Sequence, residues 1–151
     1  MKLSDSFSIE EMTRTDVRKL LESNRKEAES DKVIKANLTR VCKELLEPIR
    51  ELFKQTIKVN SGYRGTELNE LVGGSKTSQH CRGEAADIVI GDIDTSEEQI
   101  AAIKRIVKEL PNLKFGQLLQ EHGCIHISLG TKKEIAFYDV KTKTKKPISL
   151  D

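Results

Sequence analysis

The spacing of apolar residues changes near residue 56, and this change constrains the fold more than any other feature of the chain. Over Lys32–Gln55 the apolar residues recur at helical spacing. Pro48 lies inside this stretch and should kink or divide the helix, because proline lacks a backbone donor and clashes one turn back. In Thr56–Asn60, by contrast, Ile57 and Val59 alternate with polar residues as in a short strand. The change predicts an α+β domain rather than a helical bundle or a sandwich.

Further helices and strands are predicted on either side of residue 56. The sequences Ser8–Glu11 and Thr95–Glu98 both have the capping-box pattern that starts a helix. The polar segment Leu21–Lys32 is predicted to be a connection, and Thr66–Val72 a brief helix. Ala85–Ile90 is apolar enough to be a central strand.

The last third of the chain predicts antiparallel strands. Phe115–Glu121 and Cys124–Leu129 flank His122-Gly123, a two-residue turn whose glycine readily adopts a positive φ. Glu134–Val140 is predicted as a third strand. We therefore expect a single domain over residues 1–151, with a small antiparallel sheet flanked by helices and a basic tail at 141–151 that could be flexible.

Composition excludes several classes of function. The chain has 26 Lys and Arg against 24 Asp and Glu, a net charge of +2, so it lacks the basic excess of a general nucleic-acid binder. No apolar run approaches the ~18 residues needed to span a membrane. The start of the chain lacks the apolar core of a secretory signal, and three cysteines, an odd number, argue against a disulfide scaffold. We expect a monomer that is cytoplasmic at synthesis.

The decapeptide Ser78–Asp87 carries the clearest chemistry. It places His80 in a loop and Asp87 on the strand that follows, so both side chains can point at one spot. Imidazole nitrogens and carboxylate oxygens are suitable zinc ligands. A third ligand must come from His122 or His126. Strand alternation puts His126 on the polar face of its strand, which makes it the better candidate.

The same decapeptide resembles a known family. Ser78-x-His80-x-x-Gly83-x-Ala85-x-Asp87 matches every fixed position of the S-x-H-x-x-G-x-A-x-D signature of the zinc D-Ala-D-Ala carboxypeptidases. That family is related to phage L-alanyl-D-glutamate endolysins and to D-Ala-D-Ala dipeptidases. The surrounding sequence is similar as well, over Phe7–Met12, Ser61–Arg64, Leu68–Asn69, Gly73–Gly74 and Ile125–Ser128.

The resemblance implies a fold, a cofactor and a set of site residues. It implies a Hedgehog/D-Ala-D-Ala peptidase-like fold with the zinc site on the sheet and a peptidoglycan stem peptide as substrate. One zinc ion would be held by His80, Asp87 and His126. Arg64 would bind substrate and stabilise developing negative charge, and Ser78 would form hydrogen bonds within the substrate-binding site.

The sequence departs from the family pattern at the catalytic carboxylate. Members often carry Glu or Asp three residues before the last ligand, where this chain has Gly123. In the predicted hairpin Glu121 pairs with Cys124 and is the diagonal neighbour of His126, ~7–8 Å away between backbones. Glu121 is therefore our candidate general base, and His122 is the alternative.

Several alternatives remain open at this point. The activity most like this sequence is a D-Ala-D-Ala carboxypeptidase, but an endolysin-type L-alanyl-D-glutamate endopeptidase and a non-catalytic zinc-holding module for cell-wall peptides are also compatible with it. Cys81 and Cys124 could instead build a structural zinc site with the histidines. The lack of a signal sequence fits a phage or prophage lysin that acts on the wall after release, or a cytoplasmic recycling enzyme.

Overall fold

A computed structural model describes residues 1–151 of the chain. The helices are α1 (Ile9–Met12), α2 (Arg18–Ser30), α3 (Lys32–Arg40), α4 (Glu47–Phe53), α5 (Thr66–Leu71) and α6 (Ser96–Glu109), with a π-helical turn at Val41–Leu46 and a 3₁₀ turn at Gln79–Arg82. The strands are β1 (Ile57–Ser61), β2 (Ala85–Ile90), β3 (Gln117–Glu121), β4 (Cys124–Ser128), β5 (Glu134–Asp139) and β6 (Thr144–Pro147). The predicted α+β class is confirmed.

The six strands form one sheet in the order β1-β2-β4-β3-β5-β6. All neighbouring pairs are antiparallel except β3 and β5, which run parallel, so the prediction of antiparallel strands is wrong for this pair. The connection 129–133 crosses the start of β3, where Lys133 N donates to Phe115 O and Glu134 N donates to Gly116 O, both at 3.0 Å. Strand β5 therefore begins beside the first residues of β3 and follows the same direction.

Strand β6 lies in the segment for which the sequence predicted a basic tail. It pairs antiparallel with β5 at the edge of the sheet, and all four of its residues are exposed. Lys145 Nζ lies 2.8 Å from a Glu134 carboxylate oxygen, and Lys146 Nζ lies 2.7 Å from one of Asp139. The strand therefore forms through backbone pairing and ion pairs, and it shows no apolar alternation that sequence patterning could detect.

The segment Leu21–Lys32 is predicted as a connection, but its residues up to Ser30 belong to α2 and α3 begins at Lys32, so that prediction is wrong. The buried side chains of α2 are Leu20, Asn24 and Ala28, which are spaced by four residues and lie on one helix face. Only two of them are apolar, and this makes the hydrophobic stripe too weak to recognise in the sequence. The polar member, Asn24, has a structural role described below.

The helical stretch that follows continues from Lys32 to Phe53 without a break, so Pro48 does not divide it, and the change from π-helical to α-helical type falls at Glu47. Asp31 caps α3, its Oδ1 accepting from Val33 N at 3.0 Å and from Ile34 N at 3.1 Å. The π-helical turn immediately precedes Pro48, which lies in the first turn of α4. A wider turn and a helix start both tolerate a residue without an N–H group, so the chain stays helical on either side of the proline.

One face of the sheet forms the hydrophobic core with the helices. Strand residues of the core include Ile88, Ile90, Leu118, Ile125 and Ile127, packed together with Ile103 and Ile106 of α6. The predicted hairpin register is confirmed, with Glu121 opposite Cys124 and Leu119 opposite His126. His122 and Gly123 form the turn, both with positive φ. None of the helices combines the length and the apolar character needed to cross a membrane.

Candidate metal centre and its cleft

The face of the sheet opposite the core carries a row of paired residues on adjacent strands. Asp87 of β2 lies between Ser61 of β1 and His126 of β4, and His126 lies opposite Leu119 of β3. Directly opposite residues on antiparallel strands have Cβ atoms ~4.5–5.5 Å apart. The register alone therefore brings Asp87 and His126 into contact.

The 3₁₀ turn before β2 brings His80 to the same place. Ser78 caps this turn, its Oγ accepting from His80 N at 3.2 Å. Gly83 ends the turn with φ of 72°, and a Cβ at this position would lie 2.9 Å from Ile34 O. Glycine therefore permits both the left-handed conformation and the close approach to α3. The reversal returns the buried side chain of His80 towards Asp87.

Three side chains converge on this point. His80 Nε2 lies 3.3 Å and His126 Nδ1 2.9 Å from the same oxygen of Asp87. The three potential ligand atoms all lie within 4.8 Å of one another. Two imidazole nitrogens and one carboxylate oxygen form a donor set suited to zinc. His80, Asp87 and His126 could therefore hold a metal ion.

The protonation state of Asp87 suits such a ligand. Burial alone would raise the pKa of this carboxyl, but its hydrogen bonds with His126 and His80 outweigh burial and hold the pKa below its ordinary value. The group is therefore an anionic carboxylate at neutral pH, the form in which it binds metals.

The converging side chains lie in a cleft of about 580 Å³, which Arg64, Ser78, Glu121 and His122 also line. Arg64 Nη2 donates to Ser78 Oγ at 3.3 Å, and Arg64 N donates to the carbonyl of His80 at 3.1 Å. Arg64 Nε is buried without a hydrogen-bond partner. The residues for which the sequence predicted substrate binding are thus connected to each other and to the turn that carries His80.

The two candidate bases lie at the hairpin end of the cleft. Glu121 is half-buried at the end of β3 and, by strand alternation, lies on the same face as Leu119, the partner of His126. His122 has φ of 50° in the turn, and its ring centroid is 5.7 Å from that of Tyr138. The structure thus brings both side chains into the cleft that contains the potential ligands.

The cysteines near the histidines are not part of the converging group. Burial, and then the charges of Asp87 and Glu121, raise the pKa of Cys124 to about 12. Its thiol also donates to Glu121 O at 3.4 Å. The geometry does not favour the rival Cys/His zinc site, because neither Cys81 nor Cys124 belongs to the group whose ligand atoms lie within 4.8 Å of one another. Cys42 is fully buried, and its predicted place in the core is confirmed.

Sequence reasoning missed Asn24, which holds the main chain on both sides of Arg64 by hydrogen bonds. Its Nδ2 donates to Thr13 O and to Tyr63 O, both at 2.9 Å, and its Oδ1 accepts from Gly65 N at 2.8 Å. The bonds to Tyr63 and Gly65 tie down the main chain on both sides of Arg64. The signal available in the sequence was a lone asparagine spaced by four from Leu20 and Ala28.

Gln79 is a second residue that sequence reasoning left without a role. Its side chain lines the cleft, and its Oε1 lies 3.4 Å from His126 Nε2. The two residues are 47 positions apart in the chain, so no local pattern indicates this contact.

Comparison with known proteins agrees with this geometry. A search of curated proteins found no match. The family model described as Peptidase M15 matches residues 6–128, from the residues before α1 to the end of β4, and so includes every residue that lines the cleft. The members of this family are zinc metallopeptidases, and the resemblance to the zinc D-Ala-D-Ala carboxypeptidases is confirmed. The chain belongs to the peptidase M15 family.

Proposed function

We propose that the protein is a zinc-dependent metallopeptidase that hydrolyses peptide bonds in peptidoglycan stem peptides, most like a D-Ala-D-Ala carboxypeptidase. The observation that carries this proposal is the convergence of His80, Asp87 and His126 in a cleft that also contains Arg64 and Glu121. Membership of a zinc peptidase family supports the metal and the substrate class.

His80, Asp87 and His126 would hold one zinc ion, because their donor atoms match those zinc prefers and three protein ligands are typical of catalytic sites. When bound, zinc supplies Lewis-acid polarisation of the scissile carbonyl and activates water for attack. Asp87 offers its oxygen as an anion, and each histidine turns one ring nitrogen towards it.

Glu121 would act as the general base and then the general acid. Its carboxylate would accept a proton from the attacking water and deliver that proton to the nitrogen of the leaving amine. Its position supports this role, because it is half-buried in the cleft and lies two residue pairs from His126 along the hairpin, on the same face of the sheet. His122 is the alternative base at the same end of the cleft.

Arg64 would bind the terminal carboxylate of the substrate or the negative charge that develops on the scissile oxygen. A guanidinium group is always charged and presents several donors in a fixed plane. Ser78 Oγ accepts from one of these donors and so restricts the orientation of the group towards the cleft.

Digestion of defined substrates tests the proposed function. The zinc-loaded protein is incubated with a stem pentapeptide that ends in D-Ala-D-Ala, and the products are identified by mass spectrometry. We expect release of the terminal D-alanine by the wild-type protein and strong loss of this release in Glu121→Gln. A zinc-loaded protein that binds the peptide without cleaving it would overturn the enzymatic proposal and favour the non-catalytic module.

A second activity is favoured by a specific feature of the cleft. A smaller cavity of about 190 Å³ adjoins it, shares Arg64 and Val72 with it, and is also lined by Arg14 and Asp16. A longer peptide could occupy both sides of Arg64, as an L-alanyl-D-glutamate endopeptidase requires. Digestion of intact peptidoglycan separates the two activities, because an endopeptidase creates new glutamate amino termini whereas a carboxypeptidase releases free D-alanine.

A further inference from the structure

We propose that Gln79 is a positioning residue for the metal centre, and that its side-chain oxygen holds His126 with Nδ1 directed towards the metal. The inference rests on the proposed zinc function. It concerns a residue that contacts one ligand from outside the converging group.

The two histidines of the centre have matching surroundings. Each directs one ring nitrogen at Asp87, Nε2 in His80 and Nδ1 in His126. Each directs its other nitrogen at an amide oxygen. His80 Nδ1 lies 2.7 Å from Gly62 O, and His126 Nε2 lies 3.4 Å from Gln79 Oε1. A histidine that binds a metal commonly donates its remaining N–H to such an acceptor, which sets the ring orientation.

The position of the ring proton on His126 makes the role of Gln79 specific. The nitrogen that binds a metal must carry no proton, so the ring proton of a neutral His126 ligand has to reside on Nε2. Gln79 Oε1 is the side-chain acceptor that faces this nitrogen. An amide oxygen accepts a hydrogen bond from this N–H group without adding a second negative charge beside Asp87.

The backbone holds Gln79 in place without help from its side chain. Gln79 O accepts from Glu84 N at 3.0 Å, and the 3₁₀ turn that contains it is capped by Ser78. A substitution that changes only the end of the side chain should therefore remove the contact with His126 and leave the turn intact.

Zinc affinity tests the inference. Dissociation constants are measured by competition with a chromophoric chelator for the wild-type protein, Gln79→Met and Gln79→Glu. Loss of an outer acceptor costs roughly 10- to 100-fold in metal affinity, and we expect a weakening of that size in Gln79→Met. Gln79→Glu keeps an oxygen acceptor and should bind zinc at least as tightly as the wild-type protein.

Gln117→Met serves as the matched control for zinc binding. Gln117 lines the same cleft, but its Nε2 donates to Glu134 at 2.8 Å, and we expect its zinc affinity to equal that of the wild type. Thermal unfolding of each metal-free variant checks the fold. Equal affinities of Gln79→Met and wild type would overturn the inference alone, as would equal weakening in Gln79→Met and Gln79→Glu. A wild-type protein that binds no zinc would overturn the proposed function as well.

Discussion

The side chain of Asn24 joins α2 to the segment that carries Arg64, and replacing it with alanine should destabilise the whole domain. Asn24→Ala removes three hydrogen bonds, to Thr13 O, Tyr63 O and Gly65 N, with lengths of 2.9, 2.9 and 2.8 Å. Asn24 is 1% exposed, so water cannot take over these bonds without opening the structure.

The size of the effect follows from the number of bonds. A neutral hydrogen bond contributes about 1 kcal/mol net, and a buried group left without a partner costs about 1–3 kcal/mol. Three bonds therefore predict a loss of about 3 kcal/mol in the free energy of unfolding. At roughly 2–4 °C per kcal/mol for a domain of this size, the melting temperature should fall by about 6–12 °C.

Thermal and urea unfolding of the metal-free protein measure this loss, and Asn37→Ala is the matched control. Asn37 is only half-buried, and its Nδ2 makes a single, solvent-exposed bond, to Arg82 O at 2.9 Å. We expect Asn37→Ala to lose less than about 1 kcal/mol. A destabilisation by Asn24→Ala no larger than that of Asn37→Ala would refute the reasoning. Peptidase activity of Asn24→Ala, measured well below its melting temperature, should also fall because Arg64 loses its support.

Three further predictions concern the base, the metal and a buried thiol. Glu121→Gln should lower kcat by about 10²- to 10⁴-fold, with zinc affinity nearly unchanged. Steady-state kinetics at saturating zinc measures this loss, and a wild-type kcat in the variant would assign the base to another residue. Zinc at 100 times its Kd should stabilise the wild-type protein by about 2.7 kcal/mol, whereas the same zinc concentration should not stabilise His126→Ala. If zinc raised the melting temperatures of the two proteins equally, the metal would bind at another site. Burial raises the pKa of Cys42 from 9.0 to about 12, so the folded state binds more protons than the unfolded state between these values. The free energy of unfolding should be unaffected by this thiol below pH 9 and should fall above it, by up to about 1.4 kcal/mol per pH unit. Urea unfolding at pH 8 and pH 10 should show a smaller fall for Cys42→Ala, and an equal fall would contradict the assignment.

The parts of the fold that the sequence predicted depend on neighbours in the chain. The capping residues Ser8 and Thr95 each accept a hydrogen bond from the backbone N–H three residues ahead, so their pattern is visible in a short window. The hairpin register was predictable because the two-residue turn at His122-Gly123 determines which residues face each other.

The parts that the sequence did not predict depend on partners far away in the chain. Helix α2 buries only Leu20, Asn24 and Ala28, so its stability comes from tertiary contacts rather than from a hydrophobic stripe. Strand β5 runs parallel to β3 because the connection before it crosses the start of that strand. Strand order of this kind is a long-range property that no local pattern encodes.

For the candidate metal centre, the sequence by itself determined the residue types and their spacing, since the Ser78–Asp87 motif contains His80 and Asp87 and the predicted hairpin contains His126. Tertiary structure decided how each of these side chains is held. The pairing of β2 with β4 puts Asp87 opposite His126, and contacts across 41 and 47 residues bring Asn24 to Gly65 and Gln79 to His126. Each of these contacts joins groups that are distant along the chain, and their positions follow from the packing of the whole domain.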